Sequence, residues 1–192
     1  MLDVLLSYLP YALITTFTPG PNNLMSLYSV STAGWSKARN VIFGIFAGFS
    51  CLIVAVLLFC HELSVYVPEL VKYLRYVGAA YIIWLAYHIV FSVQSNSDSH
   101  PISFTSGFIL AVSNVKVILY LITIFTAYII PSEAGLYDMI LHAAFILSIS
   151  SVSWCMWGAV GGILQKFLTR YYRPFNIIMG IILLWCAYQI MK

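Results

Sequence analysis

Charged residues in this chain are spaced so widely that uncharged stretches dominate it, over 4–36, 40–61, 76–97, 99–115, 117–132, 139–165 and 174–191. A helix that crosses the hydrocarbon core of a bilayer needs about 20 apolar residues in a row. The runs 40–61, 76–97, 139–165 and 174–191 each fit one such helix. The first run is longer and holds a span plus part of a connection. The runs 99–115 and 117–132 form one span if Lys116 lies inside it. The expectation is an all-α integral membrane protein of six transmembrane helices, forming a single domain over 1–192.

Composition agrees with lipid as the solvent. Of the 192 residues, 62% are hydrophobic and 8% charged, whereas a soluble domain carries about 25% charged residues. A water-facing surface built from so few charges would be one large apolar patch. The formal charge of +3 comes with no basic stripe, so nucleic acid is not an expected partner. The N-terminus (Met1-Leu2-Asp3) carries an acid and no Lys or Arg, unlike the positive start of a cleaved leader, so the first helix is expected to be retained. Cys51, Cys60, Cys155 and Cys186 fall in apolar runs without CxxC spacing and read as ordinary thiols.

Basic residues distribute unevenly between the two sides. Lys37, Arg39, Lys166, Arg170 and Arg173 lie in the first, third and fifth connections, against Lys72, Arg75 and Lys192 on the other side. Cytoplasmic loops collect Lys and Arg, so both termini are expected outside.

The most polar stretch, 94–101 (Gln94 to Pro101), reads as a hinge between halves of three helices each, about 1–93 and 102–192. An odd number of spans per half inserts the second half upside down, giving two inverted three-helix repeats. Trp84-Leu85-Ala86-Tyr87-His88-Ile89 and Trp185-Cys186-Ala187-Tyr188-Gln189-Ile190 share W-x-A-Y-x-I at matching places. An interfacial belt would also collect Trp and Tyr there. The pairs Gly44/Gly48 and Gly158/Gly162 have GxxxG spacing, expected to let helices approach closely.

Two breaks interrupt the apolar pattern at corresponding positions in the first and fourth helices. Thr18-Pro19-Gly20-Pro21-Asn22-Asn23 removes two amide donors and excludes a regular helix. Irregular backbone at membrane depth is tolerated only against protein or a wet cavity. Pro21 then opens a second half-helix whose free amides favour an anion. The second break is Ser113-Asn114-Val115-Lys116. A lysine at bilayer depth costs about 2.5–3.5 kcal/mol on insertion scales and usually serves function; bonding to carbonyls freed by the other break is the structural alternative. The two breaks together suit a zwitterionic amino acid. Lys116 and the half-helix start at Asn22 and Asn23 would take its carboxylate, and carbonyls near Thr18 its ammonium; Asn114, Pro19, Gly20 and Pro21 complete the expected substrate site. No metal or cofactor is expected.

T-P-G-P-N at Thr18 to Asn22 and N-V-K at Asn114 to Lys116 resemble the LysE/RhtB family of amino-acid exporters over essentially the whole chain. The family commonly has N-P-K, and Val115 stands where that proline would be. N-V-K, Pro101-Ile102-Ser103-Phe104 and Tyr81-Ile82-Ile83-Trp84-Leu85-Ala86 look like its cysteine and O-acetylserine exporter subgroup. The resemblance implies a transporter, not an enzyme, that moves small amino acids out of a bacterial cytoplasm across the inner membrane by proton antiport. Both termini would then be periplasmic. Its partners are the amino-acid substrate and the lipid bilayer, with a homo-oligomer left open. All six acids sit near span ends, so no mid-membrane carboxylate offers a proton relay. Lys116 is one coupling candidate, since burial disfavours its charged form. Asp138 and His142, one turn apart, are another, with a capping acid and an interfacial histidine as the plainer reading. Ser150, Trp154 and Trp157 at i, i+4, i+7 are candidates to line the path; a packed helix face explains them equally. An intramembrane enzyme or a structural or sensor membrane protein is the rival reading. HExxH and GxSxG motifs are missing from the sequence.

Overall fold

The computed structural model describes the backbone of residues 2–91, 102–132, 135–164 and 170–191. Every element among them is helical: α1 (Leu2–Phe17), α2 (Pro21–Val90), α3 (Phe104–Val112), α4 (Val115–Ile124), a π turn (Phe125–Ile129), a 3-10 turn (Ile130–Ser132), α5 (Leu136–Ile163) and α6 (Tyr172–Met191). The hinge expected at 94–101 lies outside the described residues.

Two segments are long and apolar enough to cross a bilayer, Pro21–Leu58 within α2 and Leu136–Ile163. A third qualifies if Phe104–Val112 and Val115–Ile129 count as one span, although they bend by 53° at the break between them. Leu2–Phe17 and Arg173–Trp185 are shorter apolar helices.

The connection expected between the first two spans shrinks to one residue. Helix continues on both sides of Gly34, whose φ of 71° and ψ of 169° are non-helical. That backbone region is open essentially to glycine alone. A Cβ at Gly34 would meet nothing within 4 Å, so the requirement is conformational and not spatial.

A straight helix of 70 residues would be about 105 Å long. Packing against α6 excludes that. Phe175 stacks on Tyr28 at 6.3 Å between ring centroids, and Gly180, little more than a turn further along α6, lies against Val90 and Ala86. The two ends of α2 are therefore close together. A pivot at Gly34 alone cannot achieve this, so α2 reverses again after Gly34 and contributes more than one leg.

Polarity is turned inside out relative to a water-soluble protein. Ile163 (81% exposed), Leu58 (73%) and Ile14 (69%) stand outside, while Asn22, Asn23, Ser26, Ser29, Asn114, Ser150 and Ser153 are buried. Such an exterior has lipid as its natural solvent.

Glycines set the tightest crossings. A Cβ on Gly44 would lie 2.1 Å from the Phe104 carbonyl oxygen, and one on Gly107 2.2 Å from that of Val41. With Gly48 against Phe108 and Ala111, α2 and α3 meet backbone to backbone. On α5 the backbone contact falls on Gly161, whose Cβ would sit 2.3 Å from the Leu27 carbonyl oxygen. Gly158 and Gly162, the expected pair, receive the Trp35 ring and Val30 instead.

These environments separate two reasons for glycine. Gly44→Ala should cost about 1–3 kcal/mol through overpacking, and Gly34→Ala about 1–3 kcal/mol through backbone strain. Gly135, with φ −65° and open space around it, should accept alanine within about 0.5 kcal/mol. Thermal unfolding midpoints in detergent test this ranking, and equal losses at all three positions would contradict it.

Candidate functional site

The first break is built as its prolines dictate. Helix α1 ends at Phe17, Gly20 takes an extended N-cap conformation, and Pro21 occupies the first turn of α2, where its missing N–H is harmless. Three carbonyls at the end of α1 lose their helical partners there and are all met by side chains. Thr16 O accepts from Asn23 Nδ2 at 2.9 Å and Ser153 Oγ at 2.9 Å. Phe17 O accepts from Trp157 Nε1 at 3.2 Å. Thr18 O accepts from Asn23 Nδ2 at 3.0 Å and Lys116 Nζ at 3.2 Å. Thr18 Oγ1 turns back to Ile14 O.

The second break forms without the family's proline. Asn114 is the extended N-cap of α4, and its Oδ1 accepts from the Lys116 backbone N–H at 3.1 Å. Such a cap supplies one of the acceptors a helix start lacks. The Asn114 Nδ2 donates to Asn22 Oδ1 at 3.0 Å, so the caps of the two half-helices are tied directly. Val115 sits at the first position of α4, a place proline favours but does not monopolise.

Lys116 crosses from one break to the other. A Cβ on Gly20 would lie 3.2 Å from its Nζ and 3.3 Å from its Cδ, so Gly20 provides the room through which the lysine stem passes. The ammonium ends half-buried at the rim of a cleft.

That cleft has an empty volume of ≈ 350 Å³ including its open mouth. It is lined by Gly20, Asn22, Asn23, Asn114 and Lys116 from the two breaks, and by Thr15, Thr16, Phe49, Val117, Tyr120, Ser150 and Trp154. Phe49 and Trp154 pack edge to face at 5.2 Å, and Thr16 Oγ1 donates to the Tyr120 hydroxyl at 3.2 Å.

The residues singled out in the sequence divide into three groups. Gly20, Asn22, Asn23, Asn114, Lys116, Ser150 and Trp154 share the cleft. Thr18 contributes its carbonyl to Lys116, Pro19 and Pro21 shape the break, and Trp157 braces Phe17 O without lining the cleft. Asp138 and His142 stand apart from it. His142 is buried with Nδ1 2.9 Å from the Tyr8 hydroxyl, joining α5 to α1. The carbonyls near Thr18 expected to receive a substrate ammonium accept here from protein donors.

Comparison with known proteins decides the family. The LysE type translocator model matches residues 13–192. The Escherichia coli O157:H7 cysteine/O-acetylserine efflux protein is 32% identical over 97% of both chains. The Shigella flexneri protein of the same description is 33% identical over 99% of both. This chain belongs to the LysE type translocator family. No solved structure matches it.

Several lining residues of this LysE type translocator escaped sequence reading. Tyr120 was accessible, since it follows Lys116 by one helical turn on α4. Thr15 and Thr16 directly precede the break and could have been suspected. Phe49 and Val117 carried no signal, being apolar residues in apolar helices placed at the cleft by tertiary packing.

Asn23 is spent on the backbone, so its loss should be read first in stability. Asn23→Ala should cost about 1–3 kcal/mol, and Ser153→Ala, which leaves Thr16 O one remaining donor, about 1 kcal/mol. Asn23→Asp should be worse than alanine, because a carboxylate has no hydrogen to donate. Unfolding midpoints of the detergent-solubilised variants measure all three, and an unchanged midpoint for Asn23→Ala would contradict the bracing role.

Proposed function

We propose that this translocator exports small amino acids of the cysteine and O-acetylserine type from the bacterial cytoplasm in exchange for protons, with the cleft between the two helix breaks as its substrate site. The observation that carries this reading is the Lys116 ammonium, which reaches from the second break to a carbonyl of the first at the rim of the cleft. The printed activity of the relatives in Escherichia coli and Shigella flexneri supports the substrate class.

The cleft suits such a substrate in its chemistry. Lys116 and the start of α2 favour a carboxylate. Tyr120, Phe49 and Trp154 offer aromatic surface to the ammonium, a contact each ring face favours.

Transport follows from competition for one cation. In the empty site Lys116 holds Thr18 O and so clasps the second break to the first. A substrate carboxylate competes for that ammonium and loosens the clasp, so the loaded and empty states differ in how α4 is tied to α1. A ligand that binds two arrangements unequally shifts their populations. Among the described residues no carboxylate lines the cleft, which makes Lys116 the candidate there to exchange a proton near neutral pH; His142, held against Tyr8, is the second candidate.

In the membrane the chain is read as six spans in two inverted repeats across the inner membrane, with both termini periplasmic. The interrupted helices α1–α2 and α3–α4 occupy corresponding positions. Trp84 and Tyr87, like Trp185 and Tyr188, are exposed, while Ala86 and Ala187 are buried. The matching exposure supports the repeat.

Overproduction should speed the loss of labelled cysteine or O-acetylserine from loaded cells severalfold and raise resistance to toxic analogues. Lys116→Ala should abolish this efflux while inserting normally. Lys116→Arg, whose side chain stays charged, should keep substrate binding and lose proton-linked transport. Efflux no faster than in cells lacking the protein, across a panel of amino acids, would refute the reading. Proton movement lost in His142→Gln and retained in Lys116→Arg would shift coupling to His142.

A further inference from the structure

Asn22 and Asn23 look equivalent in sequence, yet the structure gives them opposite duties. Asn23 commits both hydrogens of its Nδ2 to protein, to Thr16 O and Thr18 O, and its Oδ1 lies 3.4 Å from the Ser153 hydroxyl, whose one hydrogen is shared with Thr16 O. Asn22 is 4% exposed and lines the cleft. Its Oδ1 accepts from Asn114, while its Nδ2 is buried with no hydrogen-bond partner. Leaving a buried amide donor unmet costs about 1–3 kcal/mol, so its retention at a cleft wall calls for a visiting acceptor.

The direction of that donor is not a free choice. The Lys116 backbone N–H has hydrogen only to give, so the Asn114 atom facing it is the oxygen. Asn114 therefore turns its NH₂ toward Asn22, and Asn22 must meet it with its own oxygen. The Asn22 NH₂ is left without a partner on a residue that lines the cleft. Three amide groups in series thus convert the cap of α4 into a fixed donor on the wall made by α2. Gly20 adds no side-chain cap to the first amides of α2, and Lys116, a second donor, lines the same cleft.

We infer that Asn22 is the dedicated donor to the substrate's α-carboxylate, oriented by Asn114 as a positioning residue, and that Asn23 takes no part in recognition. The inference rests on the transport reading above and deepens it. A donor-only wall prefers an acceptor-only group, so the site discriminates a carboxylate from the isosteric carboxamide, whose NH₂ would face another NH₂. A site built around a particular hydrogen-bonding group rejects an analogue lacking it far more strongly than one differing in apolar bulk.

The test is competition, by unlabelled cysteine or cysteine amide, against labelled cysteine in proteoliposomes holding the full chain. With the unmodified protein the acid should compete at least tenfold better than the amide. Asn22→Asp puts acceptors where the donor was, so the acid should weaken at least tenfold while the amide holds or improves, and the preference should collapse or invert. Asn22→Ala removes the donor without adding charge, serves if the aspartate variant does not insert, and should weaken the acid alone. Asn114→Asp keeps the α4 cap oxygen but loses the donor to Asn22, so it should reduce the acid preference. An unmodified protein that transports cysteine but treats acid and amide alike overturns this inference and leaves the transport reading standing. The same acid preference in Asn22→Ala as in the unmodified protein does likewise. An unmodified protein that moves no amino acid overturns both.

Discussion

A backbone carbonyl released from a helix inside hydrocarbon has no water to turn to, and most of this structure's polar architecture answers that one demand. Phe17 loses its helical partner because Pro21 cannot donate, and Thr16 and Thr18 lose theirs because the backbone leaves the helix between Phe17 and Pro21. The replacements come from three other elements: Asn23 on α2, Ser153 and Trp157 on α5, and Lys116 on α4. The break is therefore a junction at which four helical elements are joined by hydrogen bonds. A cavity can exist beside it because the surrounding backbone is already satisfied.

The same demand explains how much could be read from sequence. Charge spacing located apolar helices because lipid admits so few charges, and Pro-Gly-Pro announced the first break because proline's missing N–H is a local property. Lys116 stood out as the one charge far from any span end. The allocation of partners was not legible. Asn22 and Asn23 are adjacent and chemically identical, and only the neighbours brought by α4 and α5 make one a brace and the other a cavity wall. The carbonyls that seemed available for an ammonium were taken for the same reason.

Glycine shows the boundary from another side. GxxxG spacing at Gly44 and Gly48 pointed to a close crossing, and the crossing exists, completed by Gly107 on α3. On α5 the spacing pointed to Gly158 and Gly162, but the backbone contact is at Gly161. Which face of a helix meets its neighbour depends on crossing angle and rotation, and neither is written in a four-residue interval. The one-residue junction at Gly34 was equally hidden, because a glycine amid polar residues reads as an ordinary loop.

That junction has a mechanical consequence. Segment 21–33 is bonded through Gly34 to the rest of α2, yet Leu27 rests against Gly161, while Trp35, just past the junction, covers Gly158 and Gly162. A Cβ at Gly34 would meet nothing within 4 Å. Both sides of the junction therefore rest on α5, so the bend at Gly34 is held by a neighbouring helix as well as by the covalent chain.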